Sequence, residues 1–317
     1  MLTVDRFKEA RTVLRGVISQ TELVYSQYLS DLCGNQVFLK PENMQVTGAY
    51  KIRGAYYKTT RLSPEQRALG LITASAGNHA QGVAYAAQAA GVKATIVMPT
   101  TTPLVKGNNT KDYGAEVILH GEVFDDAAEL AAQLAEEKGL TYVHPFNDPI
   151  LATGQGTIAY EIFQDLPDVE AILVPVGGGG LIAGIAFAIK SLRPNVKVYG
   201  VQAAGAPSMF RSIRDGQIGT LDSVSTIADG IAVKRPGDLT YELVSKYVDD
   251  IATVSEDEIC AAILKLIEKQ KMIAEGAGAA SVAAAMFGKF PIQGKKVVCV
   301  ISGGNIDVTS LSRVINR

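Results

Sequence analysis

From residue 71 onward, short apolar runs alternate along the chain with longer stretches of helical periodicity. The runs at 94–98 and 116–119 are examples, each a short apolar stretch of the kind expected for strands of βα units. Between them, residues 103–113 predict a helix. Residues 125–138, rich in Ala, Glu and Leu and opened by Asp125 and Asp126, predict another, because acids suit the positive end of a helix. A second series begins after Pro145, with a buried strand at 171–176, a helix at 181–192, a strand at 196–201 and a last clear strand at 296–301. Strands alternating with helices predict βα units feeding a mainly parallel sheet, and two such series predict two α/β domains with a cleft between them. No internal repeat, low-complexity linker or heptad run breaks the pattern.

Polar, glycine-rich loops fall at the carboxyl ends of the expected strands. Ser75, Ala76, Gly77, Asn78 and His79 follow the strand at 71–73, four glycines follow Val176, and Ser302 follows Ile301. Ligands bind at that edge of open parallel sheets, so the three loops are candidates for one shared site. Gly177, Gly178, Gly179 and Gly180, ahead of a helix, leave backbone N–H groups unobstructed at its positive end and can cradle an anion; the alternative is a turn packed close to a neighbour. Gly178, Gly180 and Ala183 also fit the dinucleotide pattern GxGxxA, but the next strand ends at Val201 and Gln202 with no acid to hold a ribose. The loop from Ser75 to His79 offers backbone donors to a second anion such as a carboxylate, or else caps a helix through Ser75 or Asn78. Ser302 can donate to a neutral ring nitrogen or can serve as a cap. Glu275 is a lone acid in an apolar, glycine-rich segment, where a buried pairing and a catalytic role are both open. Lys51 is either a solvated surface charge or an amine with a lowered pKa, able to form a Schiff base or take a proton.

Composition narrows the function classes. With 317 residues the chain can bury a sizeable core, and a net charge of −2 argues against a nucleic-acid partner. The longest apolar stretch, 181–189, is too short to span a bilayer, and the N-terminus lacks a signal-type apolar core, so a soluble cytoplasmic protein is expected. Cys33, Cys260 and Cys299 are odd in number and far apart, which suits a reducing compartment. His79, His120 and His144 have no metal-ligand spacing with one another, so neither structural zinc nor another metal is expected.

Beyond these loops, further motifs recur in order: residues 42–45, the segment around Lys51, His144 to Phe146, 154–157, 228–230, 275–279 and 302–307. Together they resemble the fold-type II pyridoxal-phosphate enzymes, and among them the threonine dehydratase (threonine ammonia-lyase) and serine racemase branch, over nearly the whole chain. The resemblance implies a tryptophan synthase β-like α/β fold of two open, mainly parallel domains with the active site in the cleft. Residues 1–44 and 149–317 would form the large cofactor-binding domain, and 45–148 a small mobile one. It further implies pyridoxal 5'-phosphate held through Lys51, with its phosphate on Gly177, Gly178, Gly179, Gly180 and Leu181, its ring hydroxyl on Asn78 and its ring nitrogen on Ser302. Tyr50 stands where the family usually has phenylalanine, against the ring. The substrate carboxylate would lie on Ser75, Ala76, Gly77, Asn78 and His79.

The implied reaction is dehydration and deamination of L-threonine to 2-oxobutanoate and ammonia, with L-serine as secondary substrate; the alternatives are a serine racemase/serine dehydratase or another β-hydroxy amino acid dehydratase. Racemases resembling this chain carry a serine where Ala76 stands, to supply an acid/base on the face opposite the lysine. They also bind a divalent metal through acids where this chain has Gln202 and Ser208. Both departures favour elimination. Ala49 replaces the family's usual serine two positions before the lysine, which implies a changed pocket edge and retained chemistry. Family habit implies a homodimer or homotetramer. Residues 311–317 end where many relatives continue into a regulatory domain, so feedback through such a domain is not expected.

Overall fold

The computed structural model describes residues 2–316, whose strands form two sheets. The larger runs β1-β2-β10-β7-β8-β9, built from Val24–Tyr25 (β1), Gln36–Pro41 (β2), Ala171–Pro175 (β7), Lys197–Ala203 (β8), Asp250–Val254 (β9) and Lys296–Ile301 (β10). The smaller runs β5-β4-β3-β6, from Leu71–Ala74 (β3), Ala94–Met98 (β4), Glu116–Leu119 (β5) and Thr141–Tyr142 (β6). Every pairing is parallel except β1 with β2. The strands expected at 94–98, 116–119 and 296–301 form at those residues. The one expected at 171–176 stops at Pro175, and the one at 196–201 shifts to Lys197–Ala203. The expected helices appear as Leu104–Lys111, Phe124–Lys138 and Gly180–Leu192, and these end differences are the one or two residues by which helix termini commonly fray.

Alternation along the central strands explains the layering. On β7, Ala171 and Leu173 face one core while Ile172 and Val174 face the other; on β10, Val297, Cys299 and Ile301 oppose Val298 and Val300. Glu256–Lys265 and Gly276–Met286 cover the first face, and Pro149–Asp165 with Gly180–Leu192 covers the second. The sequence pattern did not single out the helix Pro149–Asp165. It carries Gly154, Gly156, two threonines and three isoleucines, poor helix formers, and its formation is a tertiary effect: Leu151 to Ala159 are buried throughout.

Among the described residues no helix is long and apolar enough to cross a membrane, and no cluster of three or more His, Cys, Asp or Glu could hold a metal ion. Cys33, Cys260 and Cys299 form no disulfide among the described residues.

Candidate active site

The helix Lys51–Thr60 starts with Lys51 as its first residue, and no side chain caps it. The segment before it is fastened instead to the loop after β10. Tyr50 N–H donates to the Ser302 carbonyl at 3.1 Å, Gly304 N–H donates to the Gly48 carbonyl at 2.9 Å, and Ala49 and Gly303 form an isolated antiparallel bridge. Two of the sequence-predicted segments are thereby held side by side. The Ser302 side chain is buried and its hydroxyl makes no hydrogen bond to the described residues, so the capping alternative is not realised and the donor is available.

Lys51 Nζ donates to the Pro145 carbonyl at 2.7 Å. Burial pushes its ammonium down from 10.5 to about 8, with Glu275 opposing. At pH 7 that raises the neutral fraction of the amine from roughly 0.03% to roughly 10%. Tyr50 lies beside it, the amine 5.4 Å from the ring centroid, and burial followed by Glu275 raises its phenol, which stays protonated.

Phe146, next to Pro145, lies against the glycine loop: a Cβ on Gly178 would stand 2.4 Å from its ring. Gly179 adopts φ +99°, which L side chains rarely take. Close packing therefore explains why these positions are glycine, as the bland reading required. It leaves the amides unexplained. Among the described residues no protein acceptor meets the N–H groups of Gly177, Gly178, Gly179, Gly180 or Leu181, which open the helix Gly180–Leu192. Unpaired donors gathered at a buried helix N-terminus are an anion site.

The third loop, Ser75 to His79, leads into the helix Asn78–Ala90, whose cap residue Gly77 has no side-chain cap bond. Ser75 Oγ accepts from Gly77 N–H at 3.2 Å, a local turn, so neither Ser75 nor Asn78 caps the helix. Asn78 Nδ2 donates to Glu275 Oε1 at 2.6 Å, and its Oδ1 accepts from Asn305 Nδ2 at 2.8 Å. His79 is buried with Nε2 on the Val143 carbonyl at 3.0 Å; burial and then the Lys51 charge hold its pKa near 3. The ring is neutral with Nε2 engaged by Val143, while its Nδ1 is buried without a hydrogen-bond partner among the described residues. Ala76 is half-buried and carries no titratable group.

Sequence reasoning assigned no role to Pro145, to Asn305 or to the pairing of Glu275 with Asn78. The pair lies 197 residues apart in sequence, so no local signal marks it. Burial first, then Asp229, raise the Glu275 carboxyl to about 7. A raised carboxylate pKa penalises the charged native state, so stability falls as pH rises from 4.5 through 7 and is level above. Glu275→Gln keeps an acceptor for Asn78 and removes the charge. Its melting temperature is expected to exceed that of the unchanged protein at pH 8, with the gap closing as pH falls towards 4.5. Loss of the Glu275 charge also lowers the Lys51 pKa, so the acid limb of a pH–rate profile moves to lower pH; an unmoved limb would show that the two groups are uncoupled.

An amine of depressed pKa, an anion cradle, a buried serine hydroxyl and a donor loop, all at the carboxyl edges of parallel sheets, define a lysine-centred site of the α/β class suited to a phosphorylated ring. Residues 14–303 match the family model described as "Pyridoxal-phosphate dependent enzyme", and the chain belongs to that family. It is 55% identical over 317 residues to the L-threonine ammonia-lyase of Thermotoga maritima, covering 100% of this chain and 79% of the relative. The fold is similar to the processed form of threonine deaminase isoform 2 from Solanum lycopersicum, with TM-score 0.93, 39% identity and coverage of 100% of this chain and 89% of that one. It is also similar to maize serine racemase, with TM-score 0.94, 34% identity and coverage of 99% and 96%. The expected fold-type II architecture and cofactor class agree with these findings, and the residues present fit pyridoxal phosphate.

Proposed function

We propose that the chain is a threonine ammonia-lyase, converting L-threonine to 2-oxobutanoate and ammonia, with L-serine as secondary substrate. The observation that carries the reading is the Lys51 amine, shifted to about 8 and held by Pro145, beside the unpaired amides of the glycine loop. In this reading Lys51 binds the cofactor covalently, the amides of Gly177 to Leu181 take its phosphate, Ser302 donates to its ring nitrogen and Asn78 reaches its ring hydroxyl. When bound, pyridoxal phosphate supplies the electron sink for the charge left on the substrate α-carbon. The loop from Ser75 to His79 holds the substrate carboxylate through the amides of Ala76, Asn78 and His79, because Ser75 N–H donates to the Val97 carbonyl and Gly77 N–H to Ser75 Oγ. With a pKa of about 8, a free Lys51 amine would be neutral often enough near pH 7 to remove the substrate α-proton. The β-hydroxyl then departs with a proton as water, and the enamine product takes up water to give the 2-oxo acid and ammonia.

The likeness to maize serine racemase favours a second reading, and Ala76 decides against it. Racemisation needs a proton returned from the face opposite Lys51, and a methyl group holds none. Gln202, one of the two residues standing where a racemase would place metal-binding acids, is buried and used internally: its amide donates to the Val176 carbonyl at 3.2 Å and accepts from Phe210 N–H at 2.8 Å. The deciding assay follows 2-oxo acid release from L-threonine, L-serine and 3-hydroxyaspartate alongside D-serine formation. 2-Oxobutanoate from L-threonine is expected to be fastest, and D-serine outpacing every oxo acid would overturn the reading. Ala76→Ser is expected to gain D-serine formation from L-serine that the unchanged protein lacks, measured by chiral chromatography.

Residues 45–148 are read as a lobe closing on 1–44 and 149–317, supported by a cross-cleft pair of Lys106 with Asp229 at 2.8 Å. A cytoplasmic homodimer or homotetramer acting on a free amino acid completes the proposal, and sedimentation velocity tests its oligomeric part.

A further inference from the structure

A largely buried cluster of four charges lies behind the lysine helix. Arg53 Nε and Nη2 each donate at 2.7 Å to the two oxygens of Glu42, while Nη1 and Nη2 donate to the two oxygens of Glu161 at 2.6 and 2.8 Å. Nη1 also donates to Thr157 Oγ1 at 3.2 Å, which occupies all five guanidinium donors. Lys40 Nζ donates to Glu161 Oε2 and to the Thr21 carbonyl, both at 2.5 Å, and Thr21 Oγ1 donates to Glu42 Oε1 at 2.5 Å. Arg53, Lys40 and Glu42 are 0% exposed, and two cations balance two anions, so no charge is left unpaired. Burial acts against the Arg53 charge, but Glu42 and Glu161 outweigh it and raise its pKa.

A cluster of this kind adds little net stability over apolar packing of the same shape. What it does impose is geometry, since one rigid fork must lie in the planes of two carboxylates carried by different elements. Glu42 follows β2 of the larger sheet, and Glu161 lies on the helix Pro149–Asp165. Arg53 is two residues beyond Lys51, roughly 200° round the helix, so the cluster grips the turn from the side opposite the amine. That turn has no cap and no acid of its own. A further outside tie comes from the same helix: Gln155 Oε1 accepts from Gly54 N–H at 3.0 Å, where Gly54 and Gly154 approach so closely that a Cβ on Gly154 would stand 2.6 Å from the Gly54 Cα.

We infer that Arg53 is a positioning residue: with Glu42, Glu161 and Lys40 it locks the first turn of the lysine helix to the larger sheet, and so sets where the Lys51 amine stands. This rests on the reading of Lys51 as the cofactor-bearing base. Arg53→Lys keeps the charge and loses the fork; Glu161→Gln keeps the shape and loses one charge, at the cluster's only partly exposed member. The test uses the cofactor-loaded enzyme and reads the pH midpoint of the lysine-bound visible band, the cofactor dissociation constant, kcat and KM for L-threonine, and the far-ultraviolet melting curve.

For Arg53→Lys the midpoint is expected to move by more than about half a unit and kcat to fall about 100-fold, as for a displacement near 1 Å, with KM and cofactor affinity within about threefold. Glu161→Gln is expected to shift the same quantities in the same sense by less, and it decides the matter if Arg53→Lys does not fold. A lowered melting temperature with unmoved midpoint and kcat, or loss of fold in both variants, would make the cluster a stability element and overturn the inference. Borohydride label on Lys51 of the unchanged enzyme, with both variants unmoved, removes this inference alone. Label elsewhere removes the function as well.

Discussion

Lys51→Ala is expected to abolish 2-oxo acid release from L-threonine, lowering kcat by at least about 10⁴-fold, while the protein keeps its fold. On the proposed reading two roles are lost together, the covalent hold on the cofactor and the α-proton base, which is why the expected effect exceeds that of removing a general base alone. The purified variant should also lack the visible band that borohydride abolishes in the unchanged enzyme. Fold survival follows from the environment of the amine. A lysine whose native pKa is depressed to about 8 loses hydration that it keeps when unfolded, so its charge destabilises the native state. That penalty is present in full below pH 8 and fades as pH rises towards the ordinary value of 10.5. The cofactor-free Lys51→Ala protein should therefore melt no lower than the unchanged protein at pH 7, apart from the packing lost with the side chain. Substantial turnover in the variant would remove Lys51 from its role, and collapse of the far-ultraviolet spectrum would show that the amine is structural.

How much of this was legible in the chain depended on where each residue's partner lies. The strands at 94–98, 116–119 and 296–301 are local apolar runs, and the structure keeps their ends unchanged. Glycines between a strand and a helix are likewise a local signal, and they announced the anion cradle without naming its walls: Phe146, Met209 and Thr240 come from elsewhere in the sequence. Polar residues buried by distant pairing were the hardest to read. Lys40, next to last in the short strand Gln36–Pro41, drew no reading from the sequence, and it is buried because Glu161, 121 residues away, receives it. Arg53 belongs to the same case, with a carboxylate 108 residues on. Asn78 was singled out for a ligand bond, and the structure adds Glu275 and Asn305, which fix its amide before any ligand arrives. Sequence separation hides such pairs because neither partner alone differs from a solvated charge or amide.

Gly178→Ala is expected to weaken cofactor binding by about 100-fold or more and to lower kcat even at saturating cofactor, a larger effect than one added methyl suggests. The new Cβ would fall 2.4 Å from the Phe146 ring, closer than carbon atoms approach, so either the loop or the ring must move. Retreat of the loop turns the amides of Gly177 to Leu181 away from one shared focus, and unpaired donors that no longer converge bind an anion poorly. Movement of the ring carries Pro145 with it, and the Pro145 carbonyl is the acceptor that holds Lys51 Nζ at 2.7 Å. The two escapes damage different halves of the site, and reconstitution separates them. A weaker dissociation constant with normal kcat at saturation marks loop retreat alone, whereas a shifted pH midpoint of the visible band marks displacement of the lysine. Gly216→Ala provides the control: that glycine ends a helix at φ +69° with nothing within 4 Å of an added Cβ, so it costs about 1 kcal/mol of stability and leaves the cofactor affinity unchanged. Equal cofactor affinity in Gly178→Ala and the unchanged enzyme would mean that the glycine loop does not hold the phosphate, and the shared site built here from three strand-end loops would lose its anchor.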